Sequence, residues 1–484
     1  MRFVGRAPDL ERLRELLATV AERGTGTLVS VRGRRQVGKS RLLTEFLSRE
    51  DVPHAYFTAI KNASTQQQMA ALHTDVLASR HPIAGAAELF ASPPVDWSDA
   101  FGKLALAARL ADGPVVVVLD ELPWAAETDP TLEGRLQNAW DRSLEATPVL
   151  LVLVGSDLAV MERLTAHDRP LYGRARELQV RAFDPVECQA ALGPGCSALD
   201  AFDAHLVTGG YPRLVQELRE AGSLDRFVRE GLSDDSSALA LLGQRSLDAE
   251  FAPHLQARSV LRAIGSQPVG RASFSNAVAL LSSDTGPAPR TAIARGVEHL
   301  REKAAVAVDL PFGAPTRSKL TRYRVTDPYL SFWMRFVEAH LASIARGRTD
   351  LAIAAFTRDW TTWRGTAVEP IVREALLRLG GRHPDLSGVE SVGGWWNREN
   401  NPEVDLVLGD RRGAVSYLGS VKWRARKAVT ATELRDLSWA RTTVPGSADA
   451  RLVTVCPAGL ARGVESDLHL GPDELLDAWR PGPP

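Results

Sequence analysis

The chain has 484 residues, 24% charged and 44% hydrophobic, with a formal net charge of −1. At roughly 150 residues per domain, this length implies about three domains, each with its own core. The charge balance excludes a globally basic nucleic-acid coat but leaves room for a local basic face.

Seven of the 58 basic residues are lysine and the rest arginine, a skew that reads first as codon bias rather than as arginine chosen for phosphate contact. The three cysteines, Cys188, Cys196 and Cys456, form no CxxC pair. They indicate neither a disulfide framework nor a cysteine zinc site, and a reducing compartment fits best. The opening MRFVGRAPDLERLREL is charged and lacks the apolar stretch of a signal peptide. The longest apolar runs, 115–119 and 149–154, are far too short to span a membrane. The expectation is a cytoplasmic protein with no membrane partner.

In chain order, Leu10, Leu13, Leu16, Leu17 and Val20 mark one face of a helix over 8–23. Thr27–Arg32 is a short β-type run, and a helix is predicted from Lys39. A second strand follows at His54–Thr58, then helices near 65–80 and 97–111. The β-branched run 115–119 suits a strand covered on both faces. Residues 131–145 read as helix and 149–154 as another buried strand. This alternation predicts a parallel α/β sheet. After about residue 183 the pattern turns helical to 232, broken by Gly209-Gly210-Tyr211-Pro212, with a polar joint at 233–237. Three helical runs and a hairpin fill 255–325, and aromatics crowd 326–345. From about 363 come a helix, strands near 403–408 and 415–421, further helix and strand, and a closing PGPP.

The strongest signal is Gly33-Arg34-Arg35-Gln36-Val37-Gly38-Lys39-Ser40, a G-x-x-x-x-G-K-[ST] sequence between a strand and a helix. Its glycines let the backbone wrap a phosphate against a helix N-terminus. Lys39 is expected to reach the β- and γ-phosphates and Ser40 to hold Mg²⁺, with the adjoining Arg41 included in the ATP-binding set. The strand 115–119 then delivers Asp120-Glu121, a Walker B arrangement. There Asp120 serves Mg²⁺ and Glu121 polarises the attacking water. The next buried strand ends in Gly155-Ser156-Asp157. Ser156 is a candidate contact to the γ-phosphate or the water, and equally a helix cap. In Pro170-Leu171-Tyr172-Gly173-Arg174-Ala175-Arg176, Arg174 is a candidate for stabilising the transferring phosphoryl group, in cis or across a subunit boundary. The alternative is a surface arginine.

These motifs, in this order, resemble the archaeal-type ATPases of the AAA+/STAND group. Phe3-Val4-Gly5-Arg6 resembles the family's nucleotide-edge motif, although Ala7 stands where the family has an acid. Gly209-Gly210-Tyr211-Pro212-Arg213 resembles its lid motif. The likeness continues through Tyr323-Arg324-Val325-Thr326-Asp327-Pro328, Phe332-Trp333, Trp395-Trp396-Asn397-Arg398 and Glu403-Val404-Asp405. It implies that Val4, Gly5 and Arg6 touch nucleotide and that Arg213 senses it. The fold class expected is α/β multidomain: a parallel-sheet P-loop NTPase core (1–183), a helical lid (184–235), a winged helix with connector (236–345) and a restriction-endonuclease-like α/β domain (346–484).

In the middle region, runs at 258–264, 274–281 and 291–303, followed by a two-stranded wing, make up the winged helix. Its third helix and wing offer Arg290, Arg295, Arg301, Lys303, Arg317, Lys319 and Arg322 as a DNA-contacting set within 290–322. A purely packing role is the alternative. The tail resembles PD-(D/E)xK nuclease folds. Glu369, Asp405, Ser420 and Lys422 fall on the site positions, with Ser420 where a carboxylate is needed to bind a divalent cation. A degenerate site is expected, with Glu433 as the one carboxylate that could swing in. The leading reading is an ATP- and Mg²⁺-dependent switch with a homo-oligomeric or protein partner. The alternatives are an ATP-gated nuclease and an ATP-binding DNA regulator with little turnover.

Overall fold

The computed structural model describes residues 3–156, 158–164, 166, 167, 169, 171–251, 256–285 and 290–480. Asp157, Pro170 and the closing PGPP lie outside the described residues. The chain divides into two compact units, Met1–Ala182 and Phe183–Pro484.

In the first unit, β1 (Thr27–Arg32), β2 (His54–Thr58), β3 (Val115–Asp120), β4 (Val149–Gly155) and β5 (Ala175–Gln179) form one sheet. Its order is β2-β3-β4-β1-β5 and every pairing is parallel. All residues of β3 and β4 are buried, as their unbroken β-branched and leucine runs require of strands covered on both faces. The helices Ala7–Arg23, Lys39–Glu50, Thr65–Leu77 and Trp97–Leu110 stand close to their predicted places. The helix expected over 131–145 is Leu132–Ala139, continued by a π-helical stretch Trp140–Leu144. A parallel sheet brings the C-terminal ends of its strands to one edge. The loop after β1, Asp120 at the end of β3 and Ser156 just beyond β4 therefore share that edge, with β4 lying between β1 and β3.

The second unit opens with helices including Ala198–Thr208, Pro212–Ala221 and Leu224–Ser233. Then come the helices Gln256–Gly265, Phe274–Thr285 and Arg290–Glu302 and an antiparallel pair, β6 (Val306–Asp309) with β7 (Arg322–Val325). Two motifs distant in sequence dock here. The Tyr211 hydroxyl donates to Asp327 at 2.6 Å, and its ring meets Tyr329 edge-on at 5.8 Å. The Tyr329 hydroxyl donates to the Leu239 carbonyl at 2.9 Å and accepts from the Gly243 N–H at 2.8 Å. Phe332, Phe336, Phe356, Trp360 and Trp363 form one aromatic cluster beside them.

A second sheet holds β8 (Ser391–Trp396), β9 (Glu403–Gly409), β10 (Val415–Val421), β11 (Arg451–Val455) and β12 (Leu468–Leu470), in the order β12-β11-β10-β9-β8. β9 runs antiparallel to both neighbours, while β10, β11 and β12 are parallel. Asp203, on the helix Ala198–Thr208, pairs with Arg364 at 2.7 Å and accepts from the Trp423 indole at 3.3 Å. Burial pushes its carboxyl up to about 6 against the pull of Arg364. Removing one partner of such a pair strands a buried charge, so the contact fixes this helix to the segment after β10.

Candidate functional site

The loop after β1 owes its shape to its sequence. A Cβ on Gly33 would collide with the Val180 carbonyl, so only glycine lets the chain leave the strand there. Gly38 sits at φ 92° as the helix Lys39–Glu50 begins, a conformation that L side chains resist. Lys39 is buried and its Nζ donates to the carbonyls of Gly33 at 2.8 Å and Arg34 at 3.0 Å. Burial pulls its pKa down to about 8, although Glu121 and Asp120 favour the charged form. Arg35 lies 5.9 Å over the Trp124 ring, Gln36 and Arg41 are exposed, and Val37 is buried.

Asp120 and Glu121 converge on this loop. The Ser40 hydroxyl donates to Asp120 Oδ2 at 2.6 Å, and the Glu121 N–H donates to Oδ1 at 2.9 Å. Ser156 Oγ donates to Glu121 Oε2 at 2.9 Å. This bond is neither of the two roles expected of Ser156; it ties the serine to the second acid. A side chain outside the predicted set also enters. The Tyr56 hydroxyl donates to the same Asp120 Oδ2 at 2.8 Å. Burial and the adjacent Asp120 push its pKa far up, so it stays a donor. The signal available in sequence was a phenol hydroxyl set among the apolar residues of β2.

Arg6 packs against the phosphate loop. Its guanidinium is buried and donates to the Val37 carbonyl at 2.7 Å, with Asp9 at 3.5 Å. Asp9 thus supplies an acid that Ala7 lacks. Gly5 and Arg6 both take positive φ, turning the chain from Val4 into the first helix. Arg174 needs a correction. It precedes β5, which pairs in parallel with β1 in the register Leu28–Ala175. It therefore lies at the N-terminal edge of the sheet, about 20 Å along the strands from the phosphate loop at 3.3 Å per residue. There it grips Asp141 with two bonds of 2.7 and 3.0 Å. A role in cis is excluded by that separation. Arg213 stands in the second unit on the helix Pro212–Ala221, exposed and paired with Glu217 at 3.0 Å.

The second unit gathers the other predicted set. Glu369 opens the helix Glu369–Leu379, Asp405 stands on β9, Ser420 on β10, and Lys422 follows. Ser420 Oγ and the Val421 N–H donate to Asp405 Oδ2 at 3.0 and 2.9 Å, with Lys422 Nζ 3.9 Å away. Burial and the nearby Asp405 raise the Glu369 carboxyl to about 8. Arg373 was not foreseen; it donates to Glu369 at 3.1 Å and to the Asp405 carbonyl at 3.0 Å. Two expectations are corrected. Glu433 is not free to swing in, because Arg424 binds both its oxygens and it completes a capping box with Thr430. Arg322 is not available to DNA. It is buried, bonded to Glu403 and Asn400 at 2.7 Å each, and stacked 4.1 Å over Trp396. Arg271 binds the same Glu403. Arg290, Arg295, Arg301, Arg317 and Lys319 are exposed and Lys303 half-buried.

Among the described residues, no three His, Cys, Asp or Glu side chains gather as a metal site, and no helix is long and apolar enough to cross a membrane. The Ser40 and Asp120 pair does fit Mg²⁺, which keeps waters and relies on one or two carboxylates plus nucleotide phosphates.

Comparison with known proteins gives two matches by family. The AAA ATPase domain profile matches residues 2–154. A family described as archaeal and bacterial proteins of unknown function (DUF234) matches residues 333–434. The uncharacterized protein MJECL04 of Methanocaldococcus jannaschii is 22% identical over 441 residues, 88% of each chain. Among solved structures, the Walker-type ATPase PABY2304 of Pyrococcus abyssi is 18% identical with a TM-score of 0.50, covering 69% of this chain and 96% of its own. The ORC2 protein of Aeropyrum pernix, in ADPNP–ADP complexes, is 16% identical with a TM-score of 0.45, covering 73% and 95%. The first unit carries an AAA-type ATPase domain with a parallel-sheet P-loop fold, and a separate α/β sheet domain lies towards the C-terminus.

Proposed function

We propose that this chain is an AAA+/STAND-type ATPase that hydrolyses ATP with Mg²⁺ and works as a nucleotide-driven switch. The observation that carries the reading is the meeting of Lys39, Ser40, Asp120, Glu121 and Ser156 at one sheet edge, joined by hydrogen bonds of 2.6–2.9 Å from Ser40 to Asp120 and from Ser156 to Glu121. Lys39 leaves its loop carbonyls for the β- and γ-phosphates. Ser40 and Asp120 hold Mg²⁺, which neutralises charge on the phosphates. Glu121, oriented by Ser156, takes the proton of the attacking water. Arg6, through Val37, braces the loop that wraps the nucleotide. Arg174 acts across a subunit boundary, in a second copy. The three helices and hairpin of 256–325 serve as a winged helix that contacts DNA through Arg290, Arg295, Arg301, Lys303, Arg317 and Lys319. The C-terminal sheet domain is a degenerate, catalytically silent relative of restriction endonucleases.

Two variants test the ATPase. Lys39→Ala removes a charge-assisted phosphate contact worth about 1.5–3 kcal/mol, so ATP affinity drops at least tenfold while the chain still folds. Glu121→Gln keeps the shape without the base; it binds ATP normally and loses about 10²–10⁴ in turnover. Unchanged ATP affinity in Lys39→Ala would sink the phosphate-loop assignment. Full turnover in Glu121→Gln would place the base elsewhere.

A further inference from the structure

Strand β2 alternates. Ala55 and Phe57 point into the core, where Phe57 meets Trp97 edge-on at 5.9 Å. Tyr56 between them therefore takes the opposite face of the pleat. Its partner on β3 is Val118, two residues before Asp120, so the ring runs along the sheet towards the carboxylate. The hydroxyl reaches Asp120 Oδ2 at 2.8 Å, on the oxygen that Ser40 also occupies at 2.6 Å.

We propose that Tyr56 is a positioning residue for Asp120, holding the carboxylate in the orientation from which it serves Mg²⁺ bound with nucleotide. This inference rests on the ATPase reading above. On binding Mg-ATP, Ser40 would offer an oxygen lone pair to the cation while keeping its one proton for Oδ2, so its hold on that oxygen would be tied to the position of the metal. The Glu121 N–H anchors Oδ1 alone, about which the carboxylate can still pivot. Tyr56 is the donor on Oδ2 whose hold does not depend on the metal, and a phenol on a strand-borne ring has few rotamers to lose. Partners that orient a metal's ligands govern its affinity even without touching it.

The test is Tyr56→Phe, which keeps the ring and removes only the donor. A fluorescent ATP analogue is titrated first without divalent cation, then with rising Mg²⁺, and melting is followed in parallel. Metal-free nucleotide affinity and the melting profile stay as in wild type, while the Mg²⁺ midpoint rises about 10–100-fold. An unchanged midpoint beside normal wild-type binding overturns the Tyr56 role alone. Equal losses in metal-free affinity and melting temperature also overturn it, by showing a merely structural ring. Wild type that binds no nucleotide sinks the ATPase reading and this inference with it.

Discussion

Lys39 carries its charge into a nearly dry site, and that cost has a measurable sign. Its pKa falls from 10.5 to about 8 because burial disfavours the ammonium. Between those values the unfolded chain holds one more proton than the folded one, so the fold gains stability as pH rises through the window. The cost is fully present below about pH 8. ATP works the other way: its phosphates favour the charged lysine, so binding above pH 8 takes up a proton. ATP affinity should fall by about tenfold per pH unit above 8 until the pKa of the bound state is reached. In Lys39→Arg the guanidinium stays charged throughout, and this slope should vanish. Titrations at about pH 7 and about pH 9.5 on both proteins decide the matter. A flat wild-type profile would mean that Lys39 never loses its proton in the free site.

At the scale of elements, the helix Glu369–Leu379, β9 and β10 assemble the polar cluster that we propose is a silent nuclease site, and its charges are already spent. Asp405 is bonded to Ser420 and the Val421 N–H, Glu369 is held by Arg373, and Glu403 is shared by Arg271 and Arg322. Glu369 also favours its protonated form at neutral pH. Little anionic charge is left for a hard divalent cation. Wild type should therefore show no Mg²⁺- or Mn²⁺-dependent nicking of DNA, and Ser420→Glu, by restoring an acid-x-Lys strand, should raise weak nicking. Wild-type cleavage that disappears in Asp405→Ala would instead make the chain an ATP-gated nuclease. Much of this architecture was legible beforehand. β3 and β4 announced themselves because strands buried on both faces are continuous apolar runs. β5 and β8 did not: ARELQ and SVGGWW carry polar residues or glycines, and pairing with β1 and β9 makes them strands. The phosphate loop and its two acids are local patterns and were readable. Tyr56 depends on strand register, and Arg322 on a carboxylate 81 residues away, so neither role lies in any local window. Glu433 was readable, since Thr430-Ala431-Thr432-Glu433 spells a capping box.

For the molecule as a whole, a net charge of −1 means that any affinity for nucleic acid must come from a local face. The helix Arg290–Glu302 turns Ile293, Gly296, Val297 and Leu300 inward, which leaves Arg290, Arg295 and Arg301 on its outer side. Arg301 is partly neutralised by Glu298 at 2.8 Å, so Arg290 and Arg295, with Arg317 and Lys319 of the hairpin segment, carry the freer charge of this set. Each phosphate contact contributes about 0.9 to the slope of log affinity against log salt on duplex DNA. The triple variant Arg290→Ala/Arg295→Ala/Lys319→Ala should therefore bind DNA more weakly at every sequence and with a slope shallower by about 2–3. A switch adds a second requirement. If DNA and ATP favour the same state of the chain, each must raise the affinity for the other by the same factor, because coupling free energy is reciprocal. The decisive set is DNA binding with and without ATP, and ATP turnover with and without DNA, on wild type, Lys39→Ala and the triple variant. ATP should change DNA affinity in wild type but not in Lys39→Ala, and DNA should change turnover in wild type more than in the triple variant. Equal DNA affinity of wild type and triple variant across salt would remove DNA from this surface. DNA binding indifferent to ATP would leave an ATPase and a DNA-binding module on one chain with no switch between them.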